Sequence, residues 1–524
     1  MTMLTIDEAA AMMSDARVLG AHATSRVTSF KRVTTDSRDV RAGDLFIALR
    51  GDLHDAHDFL GDAIAKGAVA VVTSRAAGDL PVPEIRVADT RSALGALAHG
   101  WRSRFALPLV VVTGSNGKTT VKEMIASIFR AAVGAEAVLA TRGNLNNDIG
   151  VPLTLLGLSA AHRLAVVELG MNHPGETAGL ARMAAPTVAL VNNAQREHQE
   201  FMADVETVAL EHATAIHALK PDGVAVYPAD ETYEPIWRVA ATGNPIISFA
   251  LVDSASPQAA AAAGSASATP AASVDATPGG PAHTTSATRA HSATRRSASA
   301  AEAPVLVGSV LPQPAGVTSS PAQLLHIDGA GLTTDVLLGA LGRHNARNAL
   351  AAAACALAAG VSASAIQAGL QNFEPVKGRL RSLLGTRAPF VGATVIDDSY
   401  NANPDSVRAA IDVLAARGGH TVLVLGDMGE VGEHGPAFHL EIGGYARERG
   451  IKQLFGFGDA MRDACAAFGA AARHFESIDT MIDALAASAP VAAATVLVKG
   501  SRFMRMERVV DALAGAPGTA RHGN

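Results

Sequence analysis

The sequence predicts a three-domain α/β protein whose middle and last parts are parallel sheets flanked by helices. The chain has 524 residues, too many for one core and suited to about three. Apolar runs of strand length alternate with stretches of helical spacing on both sides of one low-complexity segment. In five places such a run ends in a polar group containing Gly or Asn: residues 114–120, 168–172, 397–403, 426–430 and 499–502. Open parallel sheets bind ligands beyond the carboxyl ends of their strands, so these groups fall where chemistry is expected.

Taken in order, residues 1–106 precede the first strong strand and form the first domain. The second, 107–378, opens with a strand at Leu109–Thr113, and Val121, Met124, Ile125, Ile128 and Phe129 then repeat on one helical face. Further strands are expected at 164–169 and Val188–Val191, and a helical pair at 345–357 and 363–370. Within this domain, residues 253–322 are rich in Ala, Ser, Thr and Pro, carry no aromatic residue and lose apolar periodicity. Such a segment reads as a disordered insertion, with one short strand possible at 304–310. Arg295 and Arg296 read there as a solvated pair rather than a docking patch, and deleting 253–322 is expected to spare turnover. The third domain, 379–524, is Rossmann-like, with strands at 393–396, 421–425 and 495–498.

Composition excludes several classes. A net charge of −6 without a long basic run gives no electrostatic footprint for nucleic acid. Two cysteines, Cys355 and Cys465, make neither a disulfide framework nor a zinc site, and both sit in Ala-rich stretches that read as buried helix. The first residues are acidic where a secretory leader is basic, and the apolar run at 106–112 is too short to span a bilayer. The expectation is a cytoplasmic protein with no membrane span, acting as a monomer.

The most informative motif is Thr113-Gly114-Ser115-Asn116-Gly117-Lys118-Thr119-Thr120, between the best strand and the best amphipathic helix. Glycines let backbone N–H groups curl around an anion, and the helix N-terminus adds a favourable dipole. Lys118 is placed to neutralise the terminal phosphates of ATP and Thr119 to hold Mg²⁺. Val112 stands where the full phosphate-loop pattern has its first glycine.

This shorter loop resembles that of the Mur ligase superfamily, whose members join an amino acid or peptide to a carboxylate. Further matches cover almost the whole chain outside 253–322: residues 143–152 resemble the family's Asn-rich substrate loop, 168–172 its metal-binding glutamate segment and 342–345 its nucleotide-contacting element. Residues 397–404, 426–430 and 499–502 are similar to the branch that adds D-alanyl-D-alanine to UDP-N-acetylmuramoyl-tripeptide. Thr35-Asp36-Ser37-Arg38 and residues 43–48 resemble the uridine-binding domain that this branch shares with the tripeptide-forming one. The latter's usual Asp-Asn-Pro-Arg motif does not occur here.

The resemblance implies a UDP-substrate domain, a central ATPase domain and a closing ligase domain, with ATP and Mg²⁺ as cofactors. It assigns catalysis to Lys118, Glu168 and His198, and metal binding to Thr119, Glu168 and His198. Gly114, Ser115, Asn116, Gly117, Lys118, Thr119, Thr120, Asn345 and Asp397 would contact ATP. Ser37, Arg38, Asn144, Asn147, Asn401, Asn403, Lys499 and Arg502 would contact the other substrates. Plainer readings stand beside these: Asn144 and Asn147 as turn residues, Asn345 as a helix cap, Lys499 and Arg502 as solvated strand-end charges. Many such ligases also carry a lysine, often carbamylated, on the helix after the histidine; in 205–219 His212 lies near that place, and a neutral imidazole brings no negative charge. Two alternatives remain at this point: a ligase adding one amino acid, such as diaminopimelate or lysine, and a non-catalytic ATP-binding module.

Overall fold

The computed structural model describes residues 2–20, 28–253, 303–312, 322–488 and 493–515. It contains three main sheets, all mixed with helices, and the expected α/β class holds. The largest is nine-stranded, in the order Leu332–Leu338, Gln323–Gly329, Val305–Leu311, Ile246–Val252, Val224–Pro228, Val188–Val191, Leu109–Thr113, Leu164–Glu168, Val138–Ala140. The strands from Val305–Leu311 to Val138–Ala140 run parallel; the other two are antiparallel.

Leu109–Thr113 shows why the centre of the sheet forms. All five residues are buried, and alternation sends Leu109 and Val111 to one helical layer, Val110 and Val112 to the other. The helix Lys118–Val133 covers the second face with Val121, Met124, Ile125, Ile128 and Phe129, the stripe its spacing predicts. The helical pair lies against it as Arg343–Ala358 and Ala363–Gln371.

That helix contact depends on one glycine. A Cβ at Gly369 would lie 2.3 Å from the Ile128 Cα, and Ser127 Oγ donates to the Gly369 carbonyl at 2.7 Å. Gly369→Ala therefore drives two backbones apart. We expect a loss of about 1–3 kcal/mol, read as a lower midpoint in thermal or urea unfolding. An unchanged midpoint would mean the helices separate freely.

The low-complexity segment needs correction. Most of 253–322, with Arg295 and Arg296, lies outside the described residues. Residues Val305–Leu311, however, form an internal strand, parallel to Ile246–Val252 and antiparallel to Gln323–Gly329. Deleting 253–322 would remove a strand from the middle of the sheet, so that deletion is not neutral. The strand was legible only as a short apolar run because its parallel partner, Ile246–Val252, is distant in sequence.

The C-terminal sheet has the order Arg381–Leu384, Thr394–Asp398, Ala494–Lys499, His420–Gly426, Gln453–Phe457, Ala472–Phe475, parallel except for the first strand. An N-terminal five-stranded sheet runs Arg17–Leu19, Glu84–Arg86, Ala70–Thr73, Asp44–Ile47, Arg32–Thr34. Cys355 is buried and burial pushes its thiol pKa up, whereas Cys465 is only partly buried, contrary to expectation. Among the described residues, no helix is long and apolar enough to cross a membrane.

Candidate active site

The carboxyl ends of the central and C-terminal sheets face one cavity of about 1010 Å³. All five polar strand ends contribute to its lining, as their position beyond the strands requires.

The phosphate loop leaves Leu109–Thr113 and enters the helix at Lys118, with Gly117 in the left-handed region at φ +81°. A Cβ there would lie 2.6 Å from Asn348 Oδ1 and 2.8 Å from Asn192 Nδ2, so both conformation and space call for glycine. An amide lattice holds the loop: Asn116 N donates to Asn193 Oδ1 at 2.8 Å, and Asn192 Nδ2 to the Asn116 carbonyl at 2.8 Å. The Lys118 ammonium donates to the carbonyls of Gly114 (2.6 Å) and Ser115 (3.2 Å) and to Glu197 Oε1 (2.8 Å). Ser115 to Thr120 line the cavity; Gly114 lies behind it.

Beside the loop, Glu168 ends its strand almost fully buried. Its Oε1 accepts from Thr119 Oγ1 at 3.2 Å and from Asn146 Nδ2 at 2.8 Å, while Oε2 is buried with no hydrogen-bond partner. An uncompensated buried carboxylate oxygen beside a hydroxyl suits a small hard cation. Among the described residues, no group of three or more His, Cys, Asp or Glu is arranged to hold a metal. A hydroxyl and one carboxylate suit Mg²⁺, which keeps waters and takes phosphate oxygens as ligands.

The segment after Val188–Val191 turns its side chains alternately to two sides. Gln195 and Glu197 face the phosphate loop: Asn116 Nδ2 donates to Gln195 Oε1 at 2.7 Å, and Glu197 takes Lys118. Arg196 and His198 face the C-terminal unit. Arg196 donates to Asp405 Oδ1 from Nε at 3.1 Å and pairs with Glu441 at 2.7 Å; His198 Nδ1 lies 2.7 Å from Glu430 Oε2. Burial alone would lower the His198 pKa and raise that of Glu197. Glu197 and Glu430 instead bring His198 to about 9, while Lys118 and His198 bring Glu197 to about 2. His198 lines the same cavity, close to Glu197 and Glu430.

His212 is fully buried, and burial drives its pKa to about 3 despite Glu197. Its Nδ1 meets Thr113 Oγ1 at 2.8 Å. The imidazole is thus neutral, and the nearby negative charge comes from Glu197, which sequence reasoning missed.

Other expectations divide. Asp397 is buried outside the lining and accepts from Gly378 N (2.9 Å) and Ser399 Oγ (2.6 Å), whereas the adjacent Asp398 lines the cavity. Lys499 lines the cavity but is 97% hidden, donating to the Asn401 carbonyl and pairing with Asp398, each at 2.7 Å. Its ammonium is committed within the protein. Asn345 is not a cap: the helix starts at Arg343 after Gly342, and Asn345 Nδ2 donates to the Leu341 carbonyl at 2.9 Å.

Asn144 and Asn147 line the cavity, though Asn147 Oδ1 accepts from Gly150 N at 2.9 Å as a turn residue would; Asn146, not singled out from sequence, is the one on Glu168. Asn403 caps Pro404–Ala415 and donates to Asn116 Oδ1 at 3.0 Å, joining the two units. Asn401 and Arg502 also line the cavity, Arg502 paired with Glu507 at 3.0 Å. Ser37 and Arg38 are not brought there: Arg38 is exposed and paired with Asp36, and the Ser37 carbonyl accepts from Lys66 at 2.8 Å.

Three family models match the chain: "Mur ligase family, catalytic domain" over residues 29–102, "Mur ligase middle domain" over 112–285 and "Mur ligase, glutamate ligase domain" over 378–502. A protein of Escherichia coli strain K12 named UDP-N-acetylmuramoyl-tripeptide–D-alanyl-D-alanine ligase is 37% identical over 92% of this chain and 93% of its own. A Bacillus subtilis protein of the same name is 30% identical over 93% of each. The crystal structure of MurF from Acinetobacter baumannii superposes with a TM-score of 0.78 at 30% identity, covering 98% of this chain and 99% of that one.

Proposed function

The chain belongs to the Mur ligase family, and from that premise we propose that it joins D-alanyl-D-alanine to UDP-N-acetylmuramoyl-tripeptide in an ATP-dependent ligation. The product is the pentapeptide precursor of peptidoglycan. The observation that carries this reading is the convergence of Lys118, Thr119 and Glu168 with the C-terminal strand ends on one cavity. The named relatives favour the dipeptide over a single amino acid, and a ligase family with this catalytic set sets aside the binding-only alternative.

The chemistry follows from the acceptor. A carboxylate resists an amine because it is already an anion. Its oxygen attacks the γ-phosphorus of ATP, the bond to the bridging oxygen breaks, and ADP leaves behind an acyl phosphate. The dipeptide nitrogen then attacks the acyl carbon, the tetrahedral adduct expels phosphate, and the amine proton passes to solvent.

The protein's part is positioning and charge compensation. Lys118 offsets charge on the moving phosphoryl group, and the loop's N–H groups orient the phosphates. Thr119 and Glu168 would hold Mg²⁺, which when bound neutralises phosphate charge. Residues 1–106 are assigned the UDP substrate, 107–378 ATP and 379–524 closure over both. The chain is assigned a monomeric state and, from the kind of substrates proposed, a cytoplasmic location.

Phosphate release tests the reading. With UDP-N-acetylmuramoyl-tripeptide and ATP present, release should depend on D-alanyl-D-alanine and ignore diaminopimelate and lysine. Release driven by either single amino acid would sink the assignment.

A further inference from the structure

We propose that Arg196 is a positioning residue for the ligation, a latch that seats the C-terminal unit on the phosphate loop by gripping Asp405 and Glu441 together. Arg196 follows the strand Val188–Val191 of the central sheet. Asp405 lies in the first turn of the helix Pro404–Ala415, and Glu441 in the helix Gly435–Glu448. One side chain therefore joins the central unit to two helices of the C-terminal one.

Each link is a hydrogen bond. Nε and Nη2 donate to Asp405 Oδ1 at 3.1 and 2.5 Å, and the Arg196 backbone N–H donates to Oδ2 at 2.9 Å. Nη1 and Nη2 donate to the two Glu441 oxygens at 2.7 and 3.1 Å. Two carboxylates on two edges of one planar guanidinium is an arrangement that a lysine ammonium cannot reproduce. The guanidinium also lies over the Phe438 ring, 5.1 Å from its centroid. All three charged side chains are less than a third exposed, so solvent screens them less than a surface pair.

The C-terminal side is prepared for this contact. Arg408 Nη1 donates to Glu441 Oε1 at 3.0 Å and packs 3.9 Å from the Tyr445 ring centroid, so Glu441 is oriented by its own unit. Asp405 has no such helper: among the described residues, every hydrogen bond to its carboxylate comes from Arg196. With the units apart, the two carboxylates are left with Arg408 alone. Arg196 supplies the second positive charge, and the set is balanced only when the units meet.

The place of the latch gives it a consequence for rate. Asn403, the cap of the same helix, donates to Asn116 Oδ1 of the phosphate loop at 3.0 Å. Both contacts thus fasten one helix start, and the residues leading into it, Tyr400, Asn401 and Ala402, line the cavity with Lys118 and Glu168. Through that helix Arg196 sets how the C-terminal lining stands against the phosphate loop.

The inference rests on the ligase reading, so wild-type turnover with D-alanyl-D-alanine is measured first. Its absence sinks that reading, while scattering still decides this one. Arg196→Met should lower kcat about ten- to a hundredfold, the scale on which a misplacement of about 1 Å costs rate. Asp405→Asn should fall in the same range, and the double variant should be no slower than the slower single one, because both open one latch. Arg196→Lys keeps the charge without the fork and should stay closer to Arg196→Met than to wild type.

Two further readouts separate positioning from other roles. Small-angle scattering with a non-hydrolysable ATP analogue should give both Arg196→Met and Asp405→Asn a larger radius of gyration than wild type, with unchanged circular dichroism. Calorimetry should place their affinities for the analogue within about threefold of wild type. If Arg196 acts on the triphosphate itself, Arg196→Met loses about tenfold or more in that affinity while Asp405→Asn keeps it. If the pairs only stabilise the fold, the variants melt earlier with kcat and radius unaltered. Either result, or a multiplicative loss of kcat in the double variant, overturns the proposal. Should Arg196→Met fail to fold, Asp405→Asn decides alone by the same measurements.

Discussion

Replacing Lys118 by Ala lowers phosphate release about a thousandfold or more in kcat/KM, the scale on which phosphoryl-transfer enzymes depend on a single positioned cation. The ammonium is the loop's one charged donor, and two other cations that line the cavity are committed elsewhere: Arg196 to Asp405 and Glu441, and Lys499 to Asp398. The variant also removes one partner of the buried Glu197, which can itself disturb a site. A companion variant separates the two causes. If activity is lost because Glu197 is left with His198 alone, Lys118→Ala combined with Glu197→Gln regains it. If the missing charge is the cause, the pair stays inactive while circular dichroism shows both folded. Near-normal turnover of Lys118→Ala would remove the phosphate loop from the chemistry altogether.

Glu168→Gln gives the second large effect, about a hundredfold loss of kcat with a shifted Mg²⁺ requirement. The amide keeps the shape of the carboxylate and an oxygen for Thr119 Oγ1 and Asn146 Nδ2, so the strand end survives. What it removes is the negative charge at the partnerless Oε2. The Mg²⁺ concentration for half-maximal phosphate release should rise about tenfold or more, as loss of a carboxylate ligand weakens a hard cation. An identical Mg²⁺ titration in the variant would take the ion away from Glu168. Thermal unfolding without metal, where both proteins should melt alike, separates this from a packing defect.

The parts of the molecule legible in sequence are those whose signal is local. The strand Leu109–Thr113, the apolar stripe from Val121 to Phe129 and the bend at Gly117 each follow from a few neighbouring residues, so the phosphate loop could be read directly. The polar strand ends were legible because parallel sheets put them on one rim. Two kinds of feature were not. Val305–Leu311 is a strand because Ile246–Val252 and Gln323–Gly329 lie beside it, and its own composition says little. Asp397 and Asp398 are adjacent, and alternation along a strand makes one structural and the other cavity-facing; which is which depends on the register with Ala494–Lys499.

The sequence by itself determined the α/β class, the anion-binding loop, and the family resemblance that foretold an amide ligase. These rest on short-range patterns, whose meaning survives without knowledge of what packs against them. Only the tertiary structure decided what the charged groups do. Glu197 carries no signal of its own in sequence, and the fold buries it between Lys118 and His198. Lys499 looks free and is bound to Asp398. The physical reason is the same in each case. A charge acquires its role from the partner that meets it when water is excluded, and those partners come from segments far apart along the chain.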